Sequence, residues 1–155
     1  MDRCVGSTEG KGLCIAVVRS RFNERITQRL LEAALGTLRE HGVADGSIVL
    51  VEVPGAVEIP LAVDLLLKHR KFDAVLCLGA VIRGDTPHFD YVCQMASQGI
   101  QQVSLQHGVP IAFGILTCDT LEQALARTGA GAANRGVDAA LTALEMANLT
   151  RQLDR

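Results

Sequence analysis

The chain has 155 residues, with 15 Lys and Arg against 17 Asp and Glu and a net charge of −2. This length fits one domain, and a 48% hydrophobic content supplies a real core, which excludes intrinsic disorder. The balanced charge and the 3% aromatic content, without Trp, argue against a nucleic-acid partner, which calls for a basic face or stacking platforms.

The expected elements alternate in type. Residues 1–12 are a polar arm. Residues 13–18 (Leu-Cys-Ile-Ala-Val-Val) form a continuous apolar run, the signature of a strand buried on both faces. Asn23 is placed to cap a helix running to about His41. Its apolar residues Ile26, Leu30, Ala34 and Leu38 recur every four positions, and Gly42 stops it. A second strand spans 48–53, ended by Pro54-Gly55, and a helix follows over 56–69 with Pro60 in its first turn. The third strand, 74–82, leads through Arg83-Gly84-Asp85-Thr86-Pro87 into a helix over 88–106. A fourth strand spans 110–116. Asp119 is expected to open a capping box for a short helix to Arg127, and a last helix runs to about Leu149. Strands alternating with helices predict an α/β three-layer sandwich around a four-stranded parallel sheet with flavodoxin-like winding, one domain over 13–155.

Residues 91–118 carry no Asp, Glu, Lys or Arg, but Gln, Ser, His107 and Pro110 interrupt the apolar pattern, so this stretch is not read as a membrane span. No basic segment followed by an apolar run opens the chain, so no secretory signal is expected. Five cysteines, none in a C-x-x-C pair, argue against a disulfide framework or a zinc cluster and place the chain in the cytoplasm. The helix over 56–67 is apolar on most faces. The one over 89–106 sets an apolar stripe against Gln94, Gln98, Gln101 and Gln102, an uncharged face that favours a homo-oligomer over simple exposure.

In open parallel sheets, ligands bind beyond the carboxyl ends of the strands. Four segments reach that edge and are candidates for one cleft: residues 20–23, 54–58, 82–88 and 116–118. In the third, Gly84 allows close backbone approach, while free amide hydrogens at the helix start and the Thr86 hydroxyl suit an anion. Arg83 and Arg127 could add a guanidinium clamp for phosphate. The plainer alternative is a capped helix with a surface arginine. His88 is the one histidine placed to move protons, although a lone histidine is often structural. Cys93 is a poor partner for it as a nucleophile. Phe22 either stacks on a flat ring or staples the helix that follows, and the sequence leaves both open.

Together these segments resemble the lumazine synthase family of riboflavin biosynthesis, over roughly residues 13–149. The run Gly79-Ala80-Val81-Ile82-Arg83-Gly84-Asp85-Thr86-Pro87-His88-Phe89-Asp90-Tyr91 is its most specific element. Arg21-Phe22-Asn23, residues 53–60, residues 110–117 and Asn134-Arg135-Gly136 support it. The resemblance implies condensation of 5-amino-6-ribitylamino-uracil with 3,4-dihydroxy-2-butanone 4-phosphate to 6,7-dimethyl-8-ribityllumazine, without metal or organic cofactor. By matching positions, Phe22 would stack on the pyrimidine, and Ala56, Val57 and Glu58 would bind the ribityl chain. Val81 and Ile82 would contact the ring edge, Ala80 would also be substrate-binding, Asp85, Thr86 and Arg127 would hold phosphate, and His88 would move protons. Phe113, Arg127 and Arg135 would come from a neighbouring subunit. The chain departs from the common pattern in Val57 for an aromatic, Ala80 for Thr and Arg135 for Lys. The family forms pentamers, some closing into icosahedral shells, and the uninserted 129–136 loop is closer to the shell-forming members. A lumazine- or flavin-binding protein without catalysis, and a pure shell protein, are the competing readings.

Overall fold

The computed structural model describes residues 1–154, the side chain of Ala132 excepted; Arg155, the last residue of the expected domain, lies outside the described residues. Four strands, β1 (Ile15–Ser20), β2 (Ile48–Val53), β3 (Ala74–Ile82) and β4 (Ile111–Cys118), form one all-parallel sheet in the order β2-β1-β3-β4. This is the flavodoxin-like winding expected from the pattern. The helices are α1 (Glu24–Glu40), α2 (Ile59–His69), α3 (His88–His107), α4 (Leu121–Ala126) and α5 (Arg135–Leu153). Among the described residues, no helix is long and apolar enough to cross a membrane.

Strand side chains alternate between two cores, as the two-residue period requires. Ile15, Val17, Leu76 and Leu78 pack with Leu30, Ala34 and Leu38 of α1 and Ala140, Ala143 and Leu144 of α5. Ala16, Val18, Val75 and Cys77 pack with Ile59 and Val63 of α2 and Ala96, Ile100 and Val103 of α3. The central strands are therefore buried on both faces, which explains why they read as unbroken apolar runs.

Several local expectations are corrected. β1 runs on to Ser20, because the ladder continues through Arg19 opposite Glu52 and Ser20 opposite Val53. Arg19 is buried yet partnered: it donates to Gln28 Oε1 at 2.6 Å and pairs with Glu52 and Glu24. Asn23 stands at the head of α1, but no side-chain cap bond forms. Its backbone is left-handed (φ 57°), a conformation asparagine tolerates better than most residues. Its amide instead donates to the carbonyl of Ala80 at 2.8 Å. A 3₁₀ turn over Ala56–Glu58 precedes α2, whose first turn holds Pro60. Thr120, not Asp119, caps α4, with Gln123 completing the capping box. α5 reaches Leu153, beyond the expected end.

The arm over 1–12 lies along its own chain. Asn148 of α5 donates to the carbonyls of Ser7 (2.8 Å) and Glu9 (2.9 Å), and Gln152 to that of Val5 (3.1 Å). Arg151 bonds Asp73 and the carbonyl of Gly12, so the end of α5 is pinned at the start of the sheet.

Helices α1 and α5 approach closely at Gly136, where an added Cβ would lie 2.2 Å from the carbonyl oxygen of Leu30. Backbone cannot yield as a side-chain tip can. Gly136→Ala is expected to destabilise the protein by about 1–3 kcal/mol, the usual cost of overpacking, read by denaturant unfolding.

Across the other layer, Asp64 of α2 accepts from Lys68 at 2.6 Å and contacts His107 Nε2 of α3 at 2.8 Å. Hydrogen bonds from Lys68 first, then His107, hold its carboxyl below the ordinary value of 3.8. A depressed folded value means that these contacts stabilise at neutral pH and fade as the pH falls through it. Asp64→Asn should therefore be less stable than the parent at pH 7, and the difference should shrink as the pH falls below the ordinary carboxyl value, measured by urea midpoints at neutral and acid pH.

Candidate active site

The carboxyl ends of β1, β2 and β3 converge on a cleft of about 490 Å³, a size suited to a small organic substrate. Phe22 enters it from the turn after β1. Gly55, Ala56, Val57 and Glu58 come from the 3₁₀ turn after β2, and Ala80, Val81 and Ile82 from the end of β3. Gly84, Thr86, His88, Phe89 and Val92 complete the wall from the loop and opening of α3.

Each position has a local cause. Two amide-to-carbonyl bonds, Arg21 to Val53 (2.8 Å) and Phe22 to Pro54 (3.0 Å), extend the β1–β2 pairing past the sheet and hold the Phe22 turn against the Gly55 turn. The Asn23–Ala80 bond ties the same turn to β3. Phe22 is 69% exposed, so it does not act as a buried staple, and its ring stands at the cleft. The half-buried Val57 presents an aliphatic side chain to the cleft, and the exposed Glu58 brings a carboxylate to the same wall.

His88 is the first residue of α3 and is exposed at the cleft; its amide donates to Thr86 Oγ1 at 3.4 Å. The opening turn of a long helix leaves amide hydrogens without partners in the helix, and its dipole favours negative charge there. Thr86 and His88 are therefore set where an anion is best received. Asp85 is exposed in the same loop but does not line the cleft. Its carboxylate would repel phosphate, which leaves only its main-chain N–H suited to that task.

The fourth sheet-edge segment does not join this cleft. Leu116, Thr117 and Cys118 line a separate depression of about 340 Å³ beside β4, together with Phe113, Arg127, Arg135 and Asp138. Main-chain pairing of Arg135 N–H with the Arg127 carbonyl (2.9 Å) holds the two arginines on one side of it. Arg127 donates to the carbonyl of Gln123 at 3.0 Å, and Arg135 pairs with Asp138 at 2.9 Å. β4 is an edge strand, so this depression faces outward from the sheet. Within one chain, the residues thus form two sets: an imidazole, a ring and a helix start in one, and two guanidiniums and a ring in the other.

Arg83 does not join Arg127 in an anion clamp. Its guanidinium is engaged by Asp119 (2.8 Å) and Asp90 (3.3 Å) and lies over the Phe89 ring, and those carboxylates, Asp119 first, raise its basicity further. Cys93 is half-buried, and burial pushes its thiol up, with Asp90 adding to the effect. That is the opposite of an activated nucleophile. Gly55 belongs to the candidate segment 54–58, whereas Phe89 and Val92 lie outside all four segments expected at the cleft. Phe89 and Val92 fall on the apolar stripe of α3, whose first turns line the cleft, with Val92 also packed against the core.

The family model described as 6,7-dimethyl-8-ribityllumazine synthase matches residues 12–151. A relative from Desulfatibacillum aliphaticivorans, named 6,7-dimethyl-8-ribityllumazine synthase, is 52% identical over 147 residues, which is 95% of each chain. With the match spanning the whole sheet and every segment of both pockets, this chain belongs to the 6,7-dimethyl-8-ribityllumazine synthase family.

Proposed function

We propose that the chain condenses 5-amino-6-ribitylamino-uracil with 3,4-dihydroxy-2-butanone 4-phosphate to give 6,7-dimethyl-8-ribityllumazine, as a transferase of riboflavin biosynthesis. The observation that carries the site assignment is the gathering of Phe22, Glu58, Thr86 and His88 around one cleft. The reaction needs a platform for a flat ring, polar groups for a ribityl chain, an anion site and a proton shuttle. In this reading Phe22 stacks on the pyrimidine, the Ala56–Glu58 turn receives the ribityl hydroxyls, and Ala80, Val81 and Ile82 border the ring. The amine attacks the ketone carbonyl and water leaves as the imine forms. Phosphate then departs into the Thr86 amide and hydroxyl, and ring closure expels a second water. His88 relays the protons. Holding two substrates in register supplies much of the acceleration in such a site.

The same reading makes the working site an interface. Phe113, Arg127 and Arg135 stand in their own depression beside the free edge of β4, so they serve the cleft of a neighbouring copy, with Arg127 completing its phosphate site. Support comes from the exposed apolar side chains of the charge-poor helices: Leu61 and Leu65 on α2, and Tyr91, Met95 and Leu105 on α3. A patch of that kind asks for cover. We take the assembly as a homo-oligomer built on a pentamer, able to close further into an icosahedral shell. The five cysteines, all free thiols, suit the reducing cytoplasm.

Mixing the protein with both substrates should generate the lumazine chromophore faster than buffer alone, and no acceleration would end the enzyme reading. His88→Ala should slow turnover about 10²-fold, the usual contribution of a general acid–base group. Arg127→Ala should raise the KM for the phosphorylated substrate and leave that for the pyrimidine nearly unchanged. If sites are shared, co-assembling the two impaired variants raises activity above that of either alone, because some interfaces then pair an intact His88 with an intact Arg127. Particle mass in solution reads the assembly directly.

A further inference from the structure

Residues 83–88, which carry Thr86 and His88, are all exposed, so apolar burial does not fix them. What grips this stretch is a cluster around Arg83, the residue that follows the last residue of β3. Its Nε donates to Asp119 Oδ1 at 2.8 Å, and its two Nη atoms reach the Asp90 carboxylate at 3.3 and 3.5 Å. The guanidinium carbon lies 4.4 Å from the centroid of the Phe89 ring. Phe89 and Asp90 directly follow His88 in the first turn of α3, and Phe89 is itself a wall of the cleft. Asp119 is held in turn by its own N–H to Gln123 Oε1 at 2.8 Å, and the Gln123 carbonyl accepts from Arg127 at 3.0 Å. One guanidinium therefore braces the end of β3, the start of α3 and the start of α4 against one another.

We propose that Arg83 is a positioning residue for the condensation: by holding Phe89 and Asp90 against Asp119, it fixes the first turn of α3 and hence the place of His88 and of the phosphate-receiving loop. The inference rests on the functional reading above and extends it to a residue with no place at the substrate. Charge and geometry both matter. Two carboxylates face one guanidinium, so Arg83 has no surplus charge to offer a substrate; its role is to neutralise them beside a loop that must receive an anion. Without it, Asp90 and Asp119 would repel each other and the incoming phosphate. Only the planar fork of arginine spans two carboxylates while stacking on a ring; lysine keeps the charge and loses the shape.

The test compares the full-length protein with Arg83→Gln, Arg83→Lys and the double variant Arg83→Gln/Asp119→Asn. Turnover, the KM for each substrate, melting temperature, affinity for inorganic phosphate and amide hydrogen exchange over residues 84–91 are measured for all four. Arg83→Gln is expected to lower kcat about 10- to 100-fold, the scale of a small misplacement of reacting groups. It should also raise the KM for the phosphorylated substrate selectively and quicken exchange over 84–91. Arg83→Lys should restore that KM but not kcat, and removing the Asp119 charge should recover part of the phosphate affinity. Unchanged kinetics and exchange would overturn the proposal. So would equal losses for both substrates that follow a lowered melting temperature, the mark of a merely structural role. Failure of the parent protein to condense its substrates would strike the functional reading alone. Phosphate affinity and exchange would still decide the role of Arg83: weaker binding with selective loosening of 84–91 upholds it, and no change in either rejects it.

Discussion

A parallel sheet has no face it can leave to water, and the rest of this molecule follows from that constraint. β1 and β3 sit in the middle of the sheet and are buried on both sides, so α1 and α5 must cover one face and α2 and α3 the other. Each crossover then returns the chain to the same end of the sheet, and every strand finishes beside its neighbours. The turns after β1, β2 and β3 have no place to go but around a common hollow. The cleft is thus a by-product of covering the sheet, and its chemistry is whatever residues those turns carry.

The constraint also explains why one chain holds two incomplete sets of polar groups. β4 closes one edge of the sheet, and among the described residues no strand pairs with its outer side. The arginines that follow it in sequence are folded outward beside that edge, away from the three turns that build the cleft. The layer of α2 and α3 meanwhile carries little charge and leaves large apolar side chains uncovered. Under the proposed function both features are answered by a second copy laid against the first.

Much of this was legible in the residues, for physical reasons. Doubly buried strands leave unbroken apolar runs, and α1 shows its inner face every fourth position. Harder to read was any place where a polar residue served the interior. Arg19 and Ser20 look like a strand end, yet both are buried and paired in the ladder, because carboxylates and an amide from other elements surround the guanidinium. Asn23 looks like a helix cap, and its side chain bonds across to β3. Asp119 looks like another, and its carboxylate faces Arg83 while Thr120 does the capping. The site was legible as a list of segments at strand ends, but its division was not. The turn after β2, at one edge of the sheet, folds into the cleft and the one after β4, at the other edge, does not, a difference that hydropathy does not record. Arg83 had the same ambiguity: a guanidinium next to an anion loop reads as a ligand until its partners, one of them 36 positions away, are known.

The arm over residues 1–12 runs beside the last turns of α5, with Arg151 anchored at Asp73 where β3 begins. The arm and the last turns of α5 therefore lie together at the pole of the molecule opposite the carboxyl ends of the strands. A label attached to an exposed residue of that pole, such as Asp154, would stand clear of the cleft lined by His88.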